Sequence, residues 1–159
     1  MSKSLEVQTN VRFWIKYVQF LYTQMAAEQG KTTARILFET KLNDKDAQFL
    51  SNAEKIDILL ENARFEEITN NSLKARKIHE QLCTEIAPGL IKTILERINF
   101  EKRERNFDKA KELYFSAFQS NLDKNNVLGT TVIALQYSRF LSSKCHEHTR
   151  ALEILKTAT

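Results

Sequence analysis

The sequence predicts an all-α protein built as a stack of helical hairpins, and three observations carry that prediction. Only three Gly and one Pro punctuate 159 residues, and alternating β-branched runs are scarce, so little interrupts helix formation. Residues 91–118 place Ile91, Ile94, Leu95 and Ile98 at the i, i+3, i+4, i+7 spacing of one helix face. A second stripe follows as Phe107, Ala110, Leu113, Tyr114, Ala117 and Phe118. The third observation is recurrence. Alanines at Ala34, Ala75, Ala110 and Ala151 are spaced by 41, 35 and 41 residues, and phenylalanines at Phe20, Phe65, Phe100 and Phe140 by 45, 35 and 40.

A period of 35–45 residues built from helix pairs marks a tetratricopeptide-like or HEAT-like α-solenoid. The expected architecture is one segment over 1–159 holding four antiparallel helix pairs, at about 10–42, 52–86, 88–120 and 125–158. In the first, Thr9 or Asn10 can cap a helix carrying Trp14, Tyr17 and Phe20, and Gly30 suits the left-handed position past its end. The partner helix holds Ala34 and Arg35 and ends near Leu42, and the polar run NDKDAQ connects onward. Ser51 and Glu54 form a capping box for the helix of Ile56, Leu59, Leu60, Ala63 and Phe65. After a turn at 69–72, the run LKARKIHEQLC is the next helix, and Pro88 fits the first turn of the one after it. Asn106 can cap the second helix of the third pair. The fourth pair holds Val132, Ile133, Leu135, Tyr137, Phe140 and Leu141, the turn SSKCHEH, and a last helix over TRALEILKTA.

Composition narrows the function classes. No apolar run reaches the roughly 18–20 residues of a membrane span, and the N-terminus lacks a signal-peptide core. Two cysteines, Cys83 and Cys145, fit a reducing compartment. A net charge of +4 permits an acidic or nucleic-acid partner without requiring one. No Gly-rich phosphate loop, nucleophile elbow or H-E-x-x-H motif is present, so no catalytic residue and no cofactor is expected.

Three clusters invite a site. His79 and Cys83 stand at i, i+4, a spacing that can bind metal, but they align with Phe38, Tyr114 and Leu155 and with Leu42 and Phe118, which makes them stacking positions. Cys145, His146 and His148 crowd one turn, where adjacent residues rarely form a tetrahedral site, so a polar turn is expected and no metal. Arg97, Lys102, Arg103, Arg105, Lys109 and Lys111 form the densest basic stretch, interleaved with Glu96, Glu101, Glu104 and Glu112. Two readings of it stay open: a solvated face with i, i+4 ion pairs, or a contact surface for an acidic protein or RNA phosphate.

Trp14, Tyr17 and Phe20, followed by Ala34-Arg35 and Ala75-Arg76, resemble the half-a-TPR (HAT) repeat. Within that class the wording Phe13-Trp-Ile-Lys-Tyr17, the run from Gly89 through Arg97, Phe100, Glu101, Arg103, Asn106 and Ala110, and the paired Asn125-Asn126 are similar to the family of pre-mRNA-processing factor thirty-nine. The chain departs from that pattern at residues 23–29, which are extra, at Leu59 and Asn62 in place of Trp and Tyr, and at Ala151-Leu152. The resemblance marks as structural signature Trp14, Tyr17, Phe20, Ala34, Arg35, Phe65, Ala75, Arg76, Phe100, Glu101, Ala110, Tyr137, Phe140 and Ala151. It implies a nuclear, non-enzymatic splicing scaffold that contacts protein partners of the U1 particle at 5′ splice-site recognition. It also implies pairing through the C-terminal repeats, as a homodimer or with a paralogue. Direct RNA binding by residues 97–111 and service in cleavage and polyadenylation are the alternative readings.

Overall fold

The computed structural model describes residues 2–25, 27–43 and 45–159, with side chains from Val11 onward except at 27, 45 and 46. Its α-helices run in pairs: α1 (Ser2–Gln24) with α2 (Ala27–Asn43), α3 (Asn52–Ile68) with α4 (Ser72–Gln81), α5 (Ile91–Arg103) with α6 (Phe107–Asp123), and α7 (Val127–Ser143) with α8 (His148–Ala158). Among the described residues there is no strand. The fold is all-α, of the HAT/TPR-like helix-pair type. The chain divides into two compact units, Met1–Pro88 and Gly89–Thr159.

In the first unit, Val11, Val18 and Tyr22 of α1, Ala34 and Phe38 of α2, and Ile58 and Phe65 of α3 share one core. Leu59, Ala63, Ile78 and Leu82 close the α3–α4 hairpin. Several local expectations change here. Helix α1 already runs from Ser2, so Thr9 and Asn10 lie within it instead of capping it. Gly30 is inside α2, not past a helix end, because the turn comes earlier, near Met25. A methyl group at Gly30 would strike the Leu21 carbonyl oxygen, so the missing side chain is what lets α2 cross α1 closely. The NDKDAQ connection, apart from residue 44, which lies outside the described residues, leads into a 3-10 helix, Lys45–Phe49. At Ser51 the side chain accepts from the Glu54 N–H at 3.2 Å and donates to the Glu54 carboxylate at 2.8 Å, which anchors the first turn of α3.

Helix α4 does not stop at Cys83. It continues as a π-helical turn, Leu82–Ile86, in which the Ala87 N–H reaches the Leu82 carbonyl at 2.8 Å. The wider turn sends Leu82 into the core and leaves Cys83 only partly covered, which corrects the expected stacking role of Cys83. Pro88 precedes the next helix rather than opening it. It shares a turn with Gly89, whose φ of 80° belongs to the left-handed region, and α5 starts at Ile91.

The second unit packs Ile98 of α5, Ala110, Tyr114 and Phe118 of α6, Ile133, Tyr137 and Phe140 of α7, and Ala151 and Ile154 of α8 into one core. Tyr114 stacks on Tyr137 with ring centroids 5.3 Å apart and leans on Phe140 at 5.6 Å. Asn126 caps α7 by accepting from the Gly129 N–H at 3.1 Å.

In an exposed helix interior, Gly to Ala stabilises by about 1 kcal/mol. At Gly30 the added methyl collides with backbone, so Gly30→Ala is expected to destabilise the protein by about 1–3 kcal/mol. A lowered urea midpoint with an unchanged slope checks this, and a raised midpoint contradicts the crossing.

Candidate functional site

The recurring residues form a linked set of contacts at the helix crossings. Ala34, Ala75, Ala110 and Ala151 are all buried, and their small side chains admit the neighbouring helix. After Ala34 and Ala110 the next residue is a cation that reaches across to the next hairpin within its unit. Arg35 lies 3.6 Å from Glu66 and places its guanidinium 5.3 Å from the centre of the Phe65 ring. Lys111 lies 3.2 Å from Glu147.

Glu66 is fully buried, a costly place for a carboxylate unless its oxygens are matched. Lys74 approaches one oxygen at 3.0 Å, while Arg35 and the Asn71 side-chain amide, at 3.0 Å, face the other. The Asn71 contact belongs to a repeated device. Asn106 donates to Glu101 at 3.0 Å and Asn126 to Asn121 at 2.9 Å, each across five residues of a helix C-terminus. The backbone N–H of the same asparagine bonds the carbonyl of the same partner in all three, at 2.7, 2.9 and 2.9 Å. The residue before each asparagine, Asn70, Arg105 or Asn125, takes a positive φ between 54° and 63°. Asn106 thus starts α6 by clasping Glu101, with no side-chain bond to its own helix, unlike the cap expected of it. The Glu/Asn-x4-Asn spacing is visible in the sequence and marks these helix ends, a signal separate from the capping patterns of helix starts.

The α1 signature separates. Trp14 is half-buried with its ring edge 5.4 Å from Phe38, but Tyr17 and Phe20 are each 54% exposed, as is Phe13 at 68%. Three-residue steps on a helix swing the side-chain direction, so Phe20 points about 120° away from Trp14. Val18, Leu21 and Tyr22 take the buried places instead. The other signature residues, Phe65, Phe100, Glu101, Tyr137 and Phe140, are buried, and Arg35 and Arg76 are half-buried.

The basic stretch at 97–111 does not form one cationic face. Lys102 lies partly buried over the rings of Tyr114 and Phe140, at 5.8 and 5.5 Å, and burial, then Lys144, lowers its pKa. Lys109 pairs with Glu112 at 3.1 Å, and the bond to Glu147 raises the pKa of Lys111. Arg97 is half-buried, while Arg103 and Arg105 are exposed near the turn. Burial pushes the Tyr114 phenol up to about 12 and raises Tyr137. Tyr22 is raised by burial and by donating to Glu61.

His79 is buried, and Cys145, His146 and His148 sit in and after the turn into α8, with burial raising the Cys145 thiol. Among the described residues no group of three or more His, Cys, Asp or Glu could hold a metal. The first unit also carries a cleft of about 450 Å³ lined by Phe38, Leu42, Leu59, Asn62 and Ile78, in which the buried Asn62 carbonyl oxygen has no hydrogen-bond partner.

The family model of the PRP39 C-terminal HAT repeat matches residues 5–103. The chain belongs to this family. No curated protein and no solved structure matches it. The HAT match runs from α1 through α5, and the helix pairs beyond it repeat the same crossing chemistry in Ala110, Lys111, Tyr114 and Phe140. Among the described residues, no helix is long and apolar enough to cross a membrane.

Glu66→Ala leaves the Asn71 amide and two cations without their acceptor, and is expected to cost about 1–3 kcal/mol. Asn71→Ala, which removes one donor and a turn asparagine, should cost less. Equal, near-zero changes in the denaturation midpoint of both would contradict the clasp.

Proposed function

We propose that this chain is a non-enzymatic scaffold of pre-mRNA splicing, nuclear, acting with protein partners of the U1 particle at 5′ splice-site recognition. The family match over residues 5–103 is the observation that carries this reading. Helix-pair repeats work by presenting an extended wall of side chains, and HAT proteins of this kind are typically not catalysts. The pairing of Lys109 with Glu112 and of Lys111 with Glu147 favours protein partners over RNA phosphate, because these cations already have carboxylates. The C-terminal hairpin is the pairing end for a second copy or a paralogue, supported by Leu152, 57% exposed on α8 where α2 carries Arg35 and α6 Lys111.

Capture from nuclear extract, read for U1 proteins against polyadenylation factors, tests the assignment. Enrichment of U1 proteins is the expected result, and enrichment of polyadenylation factors alone would move the scaffold to that machinery. RNA binding measured against salt separates the remaining reading. A scaffold shows little RNA affinity at physiological salt, whereas a phosphate-binding module binds and then weakens steeply as salt rises.

A further inference from the structure

We propose that the cleft of the first unit binds a tyrosine side chain from a protein partner. This rests on the reading of the chain as a protein-binding scaffold, and names one of its contact points. The cleft, of about 450 Å³, is bounded by α2, α3, α4 and the 3-10 helix before α3, all within the first unit. Its apolar wall is Phe38, Leu42, Leu59 and Ile78, with Asn62 set among them.

The second unit shows what the same place holds when it is filled. Ile58, Asn62 and Phe65 of α3 stand 75 residues before Ile133, Tyr137 and Phe140 of α7. Ala34, Phe38 and Leu42 of α2 stand 76 residues before Ala110, Tyr114 and Phe118 of α6. One ring pair is common to both units: Phe65 on Phe38 at 5.5 Å, and Phe140 on Tyr114 at 5.6 Å. In the second unit Tyr114 also stacks on Tyr137, with centroids 5.3 Å and planes 17° apart, and Phe118 is buried in the same core. Those two rings become Asn62 and Leu42 in the first unit, and Leu59 in place of Ala134 returns only part of the lost volume. The cleft therefore opens beside Phe38, at the position the fold fills elsewhere with a phenol ring.

The polar group in the cleft selects among aromatic occupants. Asn62 is 6% exposed, and its carbonyl oxygen is buried without a hydrogen-bond partner. A buried polar group left unmatched is costly, so a ligand that matches it gains over one that does not. A phenylalanine ring offers it nothing, and an indole N–H can only donate. A phenol O–H can donate to the carboxamide oxygen or accept from its nitrogen, while its ring lies against the apolar wall. The exposed Asn43, Gln48 and Gln81 also line the cleft, and their carboxamides can bond the main chain of the segment that carries the tyrosine. An aromatic anchor in a pocket with a polar rim is the arrangement that carries most of the energy of protein interfaces.

Titration of the full chain with N-acetyl-tyrosine amide, followed by amide NMR, tests this against N-acetyl-phenylalanine amide. The tyrosine compound is expected to shift the signals of Leu59, Asn62 and Ile78, and to bind about 2- to 10-fold more tightly than the phenylalanine compound. Asn62→Leu keeps the cleft without its carboxamide, so the two compounds should bind it equally. Asn62→Tyr supplies the ring from within, as Tyr137 does, and should bind neither while keeping the helical circular dichroism. No binding to the wild type, shifts confined to residues outside the cleft, or equal affinity of the wild type for both compounds overturns the proposal. The wild-type comparison decides this even if a variant fails to fold. Because no splicing partner enters the measurement, such a failure leaves the scaffold reading standing, and loss of U1 capture leaves the cleft standing.

Discussion

The contact on which the rest of the structure depends is the seat of a first-helix aromatic residue on the second helix of the hairpin before it. Phe65 rests on Phe38 and Phe140 on Tyr114, in separate units, with centroids 5.5 and 5.6 Å apart. A two-helix hairpin buries too little surface to hold its own shape, so each pair draws its stability from this seam. Both seams use the same parts: an alanine that lets the helices close, a ring four residues later, and a cation that meets a carboxylate on the covered hairpin. On α1 the aromatic residues Phe13, Tyr17 and Phe20 are exposed.

The turns are held by a different chemistry. Three helix ends close with an asparagine that bonds both the backbone and the side chain of the residue five before it. Where α7 ends, Leu141 replaces the carboxylate or amide, and the Glu147 N–H still reaches the Leu141 carbonyl at 2.9 Å. The carboxylate that faces Lys111 then comes from Glu147 in the turn itself. A cation after the alanine thus meets a carboxylate at both crossings, supplied from a different position in each.

Much of this was legible in the sequence. The period of Ala and Phe gave the helix pairs, since only a small residue fits a close crossing and only a large one fills the gap beside it. The α1 register was not legible, because Trp14, Tyr17 and Phe20 match a signature by spacing while their helical angles diverge. The role of Gly30 was not legible for a related reason: glycine serves both helix ends and close crossings, and only the position of the turn tells which. The π-helical turn at Leu82–Ile86 carries no marker in its residue types. The basic stretch looked continuous in one dimension, yet Lys102 turns onto aromatic rings and Lys111 toward the next hairpin.

The account turns on energetic coupling across the seam. A double-mutant cycle on Tyr114→Leu and Phe140→Leu, read from urea denaturation, measures it directly. The two side chains are predicted to be coupled by about 0.5–1.5 kcal/mol, so that the double variant loses less than the two single losses together. Additive losses, with no coupling beyond error, would contradict the claim that this aromatic contact joins one hairpin to the next.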